Sequence, residues 1–319
     1  MRALTFSRFG GPEVLEYREV PDPQPAAGEV LVRTRAIGLN FADVYRRQGR
    51  YHLAGTPPYI AGYEAAGVVE VAPTRSSFRT GDRVAFADSP HANAELVAVP
   101  EDKLIPLPGD ISFETAAALL LQGLTAQFLT RDSHRLQEGE TVLVHAAAGG
   151  VGLLLVQFAR AAGARVVGLT SSPEKAALAR EAGAEEVLTY GEDWVAGARR
   201  FGGEGVDVVY DSVGRTLSDS FEAARVGGHV VFYGMAGGDP PPVDPRMLMD
   251  TSKTLTGGDL WNVLRTAEDR RTRAAALFER VRAGELTVRV AERFPLAEGA
   301  RAHAFLESRQ SSGKVLLLP

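Results

Sequence analysis

A strand–turn–helix–strand pattern in residues 141–172 constrains the fold of this chain more than any other feature. An apolar run at 142–144 predicts a strand that is buried on both faces of a parallel sheet. Small residues at 147–152 form a glycine-containing turn, and apolar residues then recur at helical spacing until Gly163. A second strand is predicted at 165–169. Within about 30 residues, these elements predict a dinucleotide-binding unit.

The turn contains the residues that we expect to bind the dinucleotide, Gly149, Gly150, Val151 and Gly152. Gly149 has no Cβ, so the backbone can approach a pyrophosphate, and Gly152 lets the helix pack close to the strand. The first N–H groups of the helix then bind the anion. Ala147 stands at the first glycine of the G-x-G-x-x-G pattern, so the match is not strict. The alternative is a tight strand–helix turn of the kind found in any α/β domain.

The residues after the second predicted strand indicate which dinucleotide binds. An NAD enzyme carries an acidic residue about 20 positions on, which accepts hydrogen bonds from the ribose 2′-hydroxyl. Here the strand is followed by Ser171, Ser172 and Lys175, and no acid stands at its end. A cation in the first turn of a helix opposes the macrodipole unless an anion binds there, and a 2′-phosphate would be that anion. We therefore expect NADPH. The alternatives are that Ser172 only caps the helix and that Lys175 is a solvated surface lysine.

Composition excludes several classes of function. The net charge of −5, with no long basic run, argues against nucleic acid as a partner, and no apolar stretch reaches membrane-spanning length. The chain has no cysteine, which excludes disulfides, thiolate zinc sites and a cysteine nucleophile. Residues 1–6 predict a strand rather than a signal peptide, so we expect a cytoplasmic protein.

The pattern of predicted elements changes along the 319 residues and indicates two domains. Short strands dominate the first part, and strands alternate with helices after an apolar helix at 113–130. We predict an α/β fold, with a Rossmann doubly wound parallel sheet of about six strands in residues 119–257 and a β-rich domain from residues 1–118 and 258–319. The principal predicted strands are 29–36, 67–71, 83–86, 142–144, 165–169, 186–190, 206–210, 229–233, 253–257 and 314–318.

Five stretches carry a resemblance to a known family. They are 38–49 (GLNFADVYRRQG), 62–67 (GYEAAG), 122–126 (QGLTA), 145–152 (HAAAGGVG) and 306–314 (LESRQSSGK). Through them the chain resembles the medium-chain dehydrogenase/reductase superfamily, and within it the zinc-free quinone oxidoreductase (zeta-crystallin-like) branch. The resemblance implies that the β-rich domain is a GroES-like catalytic domain. It also implies a homodimer and hydride transfer from NADPH to a quinone or another electron-poor carbonyl or alkene.

The resemblance assigns Asn40, Tyr45 and Thr125 to the nicotinamide end of the cleft. An asparagine amide can orient a carboxamide or a quinone oxygen, and a tyrosine hydroxyl can donate to a developing oxyanion. The alternatives are that Asn40 caps a loop and that Tyr45 is an aromatic wall.

Other positions are assigned to the rest of the cofactor. The resemblance places Ser171, Lys175 and Tyr190 around the 2′-phosphoadenosine. It also makes Arg309 a cofactor contact, with a surface ion pair as the alternative. The loops after the fourth and fifth strands of the alternating part contain Ser212, Gly234 and Met235. They fall at the carboxyl edge of the sheet, where such sheets bind ligands.

Two positions bear on metal binding. In zinc-dependent relatives a cysteine stands where Asn40 falls and a histidine where Tyr63 falls, so the resemblance implies no metal. The six histidines show no ligand spacing, and we expect them to be structural. Several family members have a smaller residue at the position of Tyr63, and a phenol there would narrow the substrate cleft.

Two further functions fit the same residues. An enone or enal reductase needs a proton donor for the carbon next to the carbonyl, and Tyr45 or solvent would supply it. A non-catalytic NADPH-binding protein, crystallin-like or RNA-associating, belongs to a different class. The acidic balance of the chain counts against RNA.

Overall fold

This computed structural model describes all residues, 1–319, and contains sixteen strands and ten α-helices. The strands are β1 (Arg2–Phe6), β2 (Glu16–Glu19), β3 (Glu29–Leu39), β4 (Tyr59–Ile60), β5 (Glu64–Val71), β6 (Arg83–Ala87), β7 (Leu96–Pro100), β8 (Ile105–Pro106), β9 (Thr141–Val144), β10 (Arg165–Thr170), β11 (Glu186–Thr189), β12 (Val206–Asp211), β13 (Ala224–Phe232), β14 (Thr254–Gly257), β15 (Val290–Pro295) and β16 (Lys314–Leu318). The helices are α1 (Phe41–Arg47), α2 (Phe113–Phe128), α3 (Gly150–Ala161), α4 (Pro173–Ala182), α5 (Trp194–Gly202), α6 (Leu217–Ala223), α7 (Pro245–Thr251), α8 (Leu260–Val263), α9 (Ala267–Arg282) and α10 (Gly299–Glu307).

The chain forms two structural units. The first contains Met1–Leu124 and Leu264–Pro319, and the second contains Thr125–Val263. The predicted domain boundaries lie after residues 118 and 257. The two units are divided at residue 124, within α2, and at residue 263, the last residue of α8.

The second unit is built on six parallel strands in the order β11-β10-β9-β12-β13-β14. The central strand β9 is buried at all four positions, because it has a neighbour on each side and apolar side chains on both faces. The strands β10 and β11 lie on one side of β9, and β12, β13 and β14 lie on the other. Sheets of this kind bind ligands at the carboxyl ends of the strands, at the point where the strand order reverses. The predicted Rossmann sheet of about six strands is confirmed.

The register of this sheet brings the strand ends level. Val144 of β9 is paired with Gly168 of β10 and with Tyr210 of β12. In a parallel sheet the segments that follow the strands leave from the same edge. The segments after β9, β10, β11, β12 and β13 therefore form one edge of the second unit.

The first unit is β-rich, as predicted. Its larger sheet has the order β15-β16-β3-β5-β6-β8, and β7 also pairs with β3. All pairs are antiparallel except β15 with β16. The strand β16 thus lies beside β3, although most of the chain separates them. A smaller sheet, β2-β1-β4, completes the unit, and apolar residues of both sheets share one core.

The helix α7 lies between the predicted strands at 229–233 and 253–257, where no element was predicted. Asp244 caps α7 by accepting the N–H of Arg246, and Pro245 takes the first helical position. The start of this helix is therefore specified by its N-cap and its proline, and not by apolar residues at helical spacing. The predicted helix at 113–130 also differs, because α2 ends at Phe128 and continues as a π-helical turn, Leu129–Ser133.

Candidate active site

The turn after β9 has a tightly fixed backbone. Ala146 has φ 47°, in the left-handed region, and the N–H of Ala147 donates to the carbonyl oxygen of Leu169 at 3.0 Å. The N–H of Gly149 donates to the carbonyl oxygen of Ala146 at 2.7 Å. A Cβ on Gly152 would lie 2.2 Å from that same oxygen, closer than any side chain can approach. Only glycine fits at position 152, so α3 packs directly against the turn.

The start of α3 fits a pyrophosphate. Its N-cap is Gly149, which has no side chain to cap the helix, and its first turn contains no acidic residue. The N–H groups of Gly150, Val151 and Gly152 belong to the first turn, which has no carbonyl partners within the helix. The positive end of the macrodipole lies at the same place. These groups can hold the two phosphates of a dinucleotide.

The segment after β10 combines a helix cap with a cation. Ser172 is the N-cap of α4, and its hydroxyl accepts the N–H of Lys175 at 3.4 Å. The same hydroxyl lowers the pKa of the exposed Glu174 carboxyl through a hydrogen bond. Ser172 therefore caps α4, as its position in the sequence predicts. No acid stands at Ser171 or Ser172 to accept a ribose 2′-hydroxyl, so this edge of the sheet fits a 2′-phosphate better than a free ribose.

The loops after β12 and β13 are held against each other. The N–H of Ala236 donates to the carbonyl oxygen of Ser212 at 3.0 Å. A Cβ on Gly234 would lie 3.1 Å from that oxygen, so the two backbones are in close contact. The structure therefore brings together Ser212, Gly234 and Met235, which the sequence analysis assigns to the carboxyl edge.

A buried chain of hydrogen bonds connects the sheet to the glycine turn. The hydroxyl of Ser220 donates to Asp211 at 2.7 Å, and Nε2 of His145 lies 3.0 Å from that hydroxyl. Nδ1 of His145 lies 3.3 Å from the hydroxyl of Tyr190, which accepts the N–H of Ala146 at 3.1 Å. Because Ser220 gives its proton to Asp211, we assign the His145 proton to Nε2 and an acceptor role to Nδ1.

The charge state of this chain follows from its surroundings. Burial lowers the pKa of His145, which keeps the imidazole neutral. Burial opposes the ionisation of Asp211, but four hydrogen bonds, from Val213, Gly214, Thr216 and Ser220, stabilise the carboxylate. The balance holds the pKa of Asp211 below its usual range. The expectation that His145 is structural agrees with its complete burial.

In the first unit, Asn40 lies in a buried polar cluster. Its Oδ1 accepts Nζ of Lys314 at 2.7 Å and Nε2 of Gln122 at 3.4 Å. Its Nδ2 donates to Oε2 of Glu64 at 2.9 Å and to the carbonyl oxygen of Gly38 at 3.3 Å. The contacts with Lys314 and Glu64 are short, and those with Gln122 and Gly38 are long. Asn40 is 5% exposed and is the N-cap of α1, the helix that carries Tyr45.

Aromatic rings surround Tyr45. The Tyr45 ring lies edge-on to Tyr51, with centroids 6.5 Å apart, and is tilted against Phe41 at 6.2 Å.

The guanidinium carbon of Arg46 lies 3.5 Å from the centroid of the Tyr63 ring. The Tyr63 hydroxyl accepts the N–H of Ala54 at 3.0 Å. Both ends of Tyr63 are therefore fixed by its neighbours.

The two remaining predicted site residues lie in different elements. Thr125 is half-buried in α2 and is the first residue of the second unit. Arg309 lies between α10 and β16 in the first unit, with φ 60°. Its backbone is in the left-handed region, which non-glycine residues adopt rarely.

Glu64 and Lys314 lie in two of the stretches that carry the resemblance, but no role was predicted for either residue. Their side chains are both 0% exposed and form an ion pair with Nζ and Oε2 at 2.6 Å. A signal was present in the sequence, because each is a charged residue at the start of an apolar strand. Fully buried lysine and glutamate are rare unless they are paired.

Comparison with known proteins identifies the family. Residues 26–109 match the alcohol dehydrogenase GroES-like domain, and residues 150–278 match the domain described as zinc-binding dehydrogenase. The quinone oxidoreductase of Pseudomonas aeruginosa is 43% identical over 100% of this chain and 99% of the relative. The chain belongs to the quinone oxidoreductase family of medium-chain dehydrogenases/reductases.

Two other proteins that are similar to this chain are informative. The Escherichia coli quinone oxidoreductase, solved in complex with NADPH, superimposes with a TM-score of 0.96 at 38% identity and covers 100% of both chains. A 2-haloacrylate reductase of a Burkholderia species is 39% identical over 99% of this chain and 98% of the relative.

The residues of this family member do not fit a zinc ion at Asn40. The ammonium of Lys314 lies 2.7 Å from Asn40 Oδ1, where it would repel a metal cation. No group of three or more His, Cys, Asp or Glu side chains is arranged to hold a metal ion. No helix combines the length and the apolar character that are required to cross a bilayer.

Proposed function

We propose that this protein is an NADPH-dependent quinone oxidoreductase that works without a metal ion. Full-length relatives of that name support the reaction, and the complex of one of them with NADPH supports the cofactor. The observation within this chain that carries the proposal is the edge of the parallel sheet. There the uncapped start of α3 is followed, after β10, by two serines and no acid at the strand end, Ser171 and Ser172, and by the cation Lys175 in the first turn of α4. When bound, NADPH supplies the hydride.

We assign the phosphates of the cofactor to the second unit. The N–H groups of Gly150, Val151 and Gly152 bind the pyrophosphate, and Gly149, which has no Cβ, lets the phosphates approach the backbone. Lys175 pairs with the 2′-phosphate, and Ser171, Ser172 and Tyr190 lie beside it. Ser212, Gly234 and Met235 border the cofactor at the same edge. The support for these roles is the position of each residue after a parallel strand.

We assign the reacting end of the cofactor to Asn40, Tyr45 and Thr125, and a further cofactor contact to Arg309. Asn40 and Tyr45 provide hydrogen-bond donors for an oxygen that gains negative charge. A reduced quinone is a weakly basic phenolate, which solvent can protonate after the hydride has been transferred. The reaction therefore needs a placed donor and no strong general acid, and no His or carboxylate is proposed as one.

One observation favours a second candidate, the reduction of an electron-poor alkene. The 2-haloacrylate reductase is nearly as similar to this chain as the quinone oxidoreductases are. Reduction of a carbon–carbon double bond leaves a carbanion-like carbon that must receive a proton. In this chain Tyr45 is the residue that we propose for that step, with solvent as the alternative.

A panel of acceptors tests the proposed function. NADPH oxidation is followed with benzoquinones, naphthoquinones, enones, enals and a 2-haloacrylate, before and after exhaustive chelation. We expect the highest kcat/KM with a quinone, and we expect chelation to leave it unchanged. Higher kcat/KM with an alkene would make the second candidate the function. Absence of turnover with every acceptor would indicate a protein that only binds NADPH.

We also propose a homodimer that forms through β14. This strand pairs on one side only, with β13, so its outer N–H and C=O groups are open. The N–H of Gly258 donates to β13 at Phe232, so alternation along the strand directs the N–H of Leu255 outward. Leu255→Pro should therefore yield monomers of 34.1 kDa in sedimentation. A monomeric wild type would contradict the proposal.

We propose a cytoplasmic location for the enzyme. NADPH is a reductant of the cytoplasm, and the chain has no cysteine that would require an oxidising compartment. Cell fractionation followed by immunodetection tests the location, and recovery in an extracytoplasmic fraction would contradict it.

A further inference from the structure

The pair Lys314–Glu64 is placed against the Asn40 amide in a way that stability alone does not explain. Both side chains are 0% exposed, and they meet at 2.6 Å. Removing two charges from water costs more than their attraction returns unless further hydrogen bonds satisfy them. Those further bonds are present: Oε1 of Glu64 accepts the N–H of Leu121 at 2.7 Å, and both partners bond Asn40.

The pair fixes which way the amide faces. In the observed orientation Oδ1 faces the ammonium of Lys314 and Nδ2 faces the carboxylate of Glu64. A flip would place Oδ1 against the carboxylate and the NH2 group against the ammonium, and both contacts would be repulsive. Oxygen and nitrogen of Asn40 therefore have assigned positions, set by charge.

The pair engages only one of the two hydrogens of the amide. The first hydrogen of Nδ2 is held by Glu64 at 2.9 Å, while the second lies on the longer contact of 3.3 Å to the carbonyl oxygen of Gly38. A cation on Oδ1 draws electron density from the amide and makes its N–H groups better donors. The second N–H of Asn40 thus has a fixed direction and is a stronger hydrogen-bond donor.

We propose that Lys314 and Glu64 are positioning residues, which orient and polarise the Asn40 amide so that its second N–H donates to an oxygen of the reacting groups. The inference rests on the proposed function, because it assigns Asn40 to the reacting end. Lys314 and Glu64 touch neither cofactor nor substrate in this account. They act through Asn40.

A double-mutant cycle tests this dependence. Lys314→Met should lower kcat for the quinone at least about tenfold, with the KM for NADPH changed less than about threefold. In an Asn40→Ala background the same substitution should change kcat less than about threefold, because its target is gone. Equal losses in both backgrounds would overturn the proposal and make the pair a structural element.

An exchange variant protects the test against loss of folding. In Asn40→Asp/Glu64→Gln, Lys314 keeps one buried carboxylate partner, now at position 40, and an amide replaces the carboxylate that accepts from Lys314, Asn40 and Leu121. The charge of the cluster is unchanged, so the Tm should fall less than in Lys314→Met, which leaves the carboxylate of Glu64 buried without its cation. Because position 40 then lacks an N–H, kcat should remain at least about tenfold low. Recovery of wild-type kcat would overturn the proposal.

A spectroscopic measurement is independent of turnover. The chain has only three asparagines, at 40, 93 and 262, so labelling with 15N-asparagine gives three side-chain NH2 groups. Lys314→Met should shift both proton signals of Asn40 toward those of an unpolarised amide. The matched control is Glu70→Gln, because Glu70 lies on the same strand as Glu64 and forms an exposed ion pair with Arg33. This substitution should leave the Asn40 signals unmoved. Unshifted Asn40 signals in Lys314→Met would overturn the proposal. If the wild type reduced no quinone, the proposed function would fail while this measurement still decided the positioning.

Discussion

The phenol oxygen of Tyr190 accepts the backbone N–H of Ala146 at 3.1 Å. Tyr190 follows β11, whereas Ala146 is the left-handed residue of the turn after β9. The carbonyl of Ala146 is the group that excludes any side chain at Gly152. Tyr190 thus supports the shape of the pyrophosphate turn, a role separate from any contact with the 2′-phosphate.

Tyr190→Phe should weaken both NADPH and NADH binding by a similar factor. The substitution leaves the N–H of Ala146 and Nδ1 of His145 without their partner, and an unsatisfied buried donor costs about 1–3 kcal/mol. Denaturant unfolding should show a loss of this size, and calorimetric titration should show equal losses for the two cofactors. A loss confined to NADPH would mean that the hydroxyl acts on the 2′-phosphate instead.

Lys175→Ala should weaken NADPH alone. A charge-assisted hydrogen bond contributes about 1.5–3 kcal/mol, which corresponds to roughly 10- to 100-fold in the Kd for NADPH. The Kd for NADH should barely change, because NADH has no 2′-phosphate. Arg180→Ala, which removes an exposed cation from the last turn of the same helix, is the control. Equal losses for both cofactors would assign Lys175 a structural role.

Gly152→Ala should destabilise the second unit, whereas Gly149→Ala should not. The Cβ at 152 would meet the Ala146 oxygen at 2.2 Å and force α3 away from the turn, an overpacking that costs about 1–3 kcal/mol. At 149 the same oxygen lies 3.1 Å away, a contact that a small shift relieves. Gly149→Ala should instead lower NADPH affinity, since its Cβ enters the phosphate site. Thermal unfolding and titration of both variants separate the effects.

Tyr45→Phe should distinguish the two candidate reactions. With a quinone, solvent protonates the product late, so kcat should fall less than about tenfold. With an alkene the reacting carbon needs a proton, and loss of a placed acid should cost about 100-fold or more. Steady-state rates with both acceptors, for wild type and variant, provide the measurement. A large loss with quinones would make Tyr45 the general acid of the quinone reaction.

His303 should make stability depend on pH in the acid range. Burial, together with the neighbouring Arg47, lowers the pKa of His303 to about 3, so the folded protein keeps it neutral. An unfolded histidine has a pKa of about 6.5, so below that value the unfolded state binds one more proton. The contribution of His303 to stability is complete above pH 6.5. It decreases by about 1.4 kcal/mol per pH unit as the pH falls toward 3.

The difference between wild type and His303→Gln isolates this dependence from that of the carboxylates. Urea unfolding at several pH values between 4 and 8 should give a stability difference that changes with pH only below about 6.5. A constant difference would show that His303 has the same pKa in the folded protein as in the unfolded chain.

The parts of the structure that could be predicted from the sequence are those that short stretches determine. The buried strand β9, the glycine at 152 and the cap at Ser172 each follow from a local pattern. The helix α7 could also have been predicted, because Asp244 and Pro245 are typical of a helix start. It was missed because the prediction of helices relied on apolar residues at helical spacing, which α7 lacks.

The buried cluster at Asn40 could not be predicted in this way. Lys314 is 274 positions from Asn40 and 250 from Glu64 along the chain. The three meet because β16 pairs antiparallel with β3, with Val315 opposite Leu39. No local pattern specifies that pairing. The sequence shows that Glu64 and Lys314 each begin an apolar strand, but it does not show that they pair with each other. The hydrogen-bond chain from Asp211 to Ala146 likewise depends on the order of the parallel strands.

The position of β16 beside β3 has a consequence for biosynthesis. During translation, Thr125–Val263 leaves the ribosome as one uninterrupted segment and can fold while synthesis continues. The larger sheet of the first unit must wait, because β3 is made before the second unit and its neighbour β16 is made after it. The edge of β3 that pairs with β16 is open throughout that interval and can pair with another chain. A nascent chain that stalls before Lys314 would present a folded nucleotide-binding unit joined to an incomplete catalytic one.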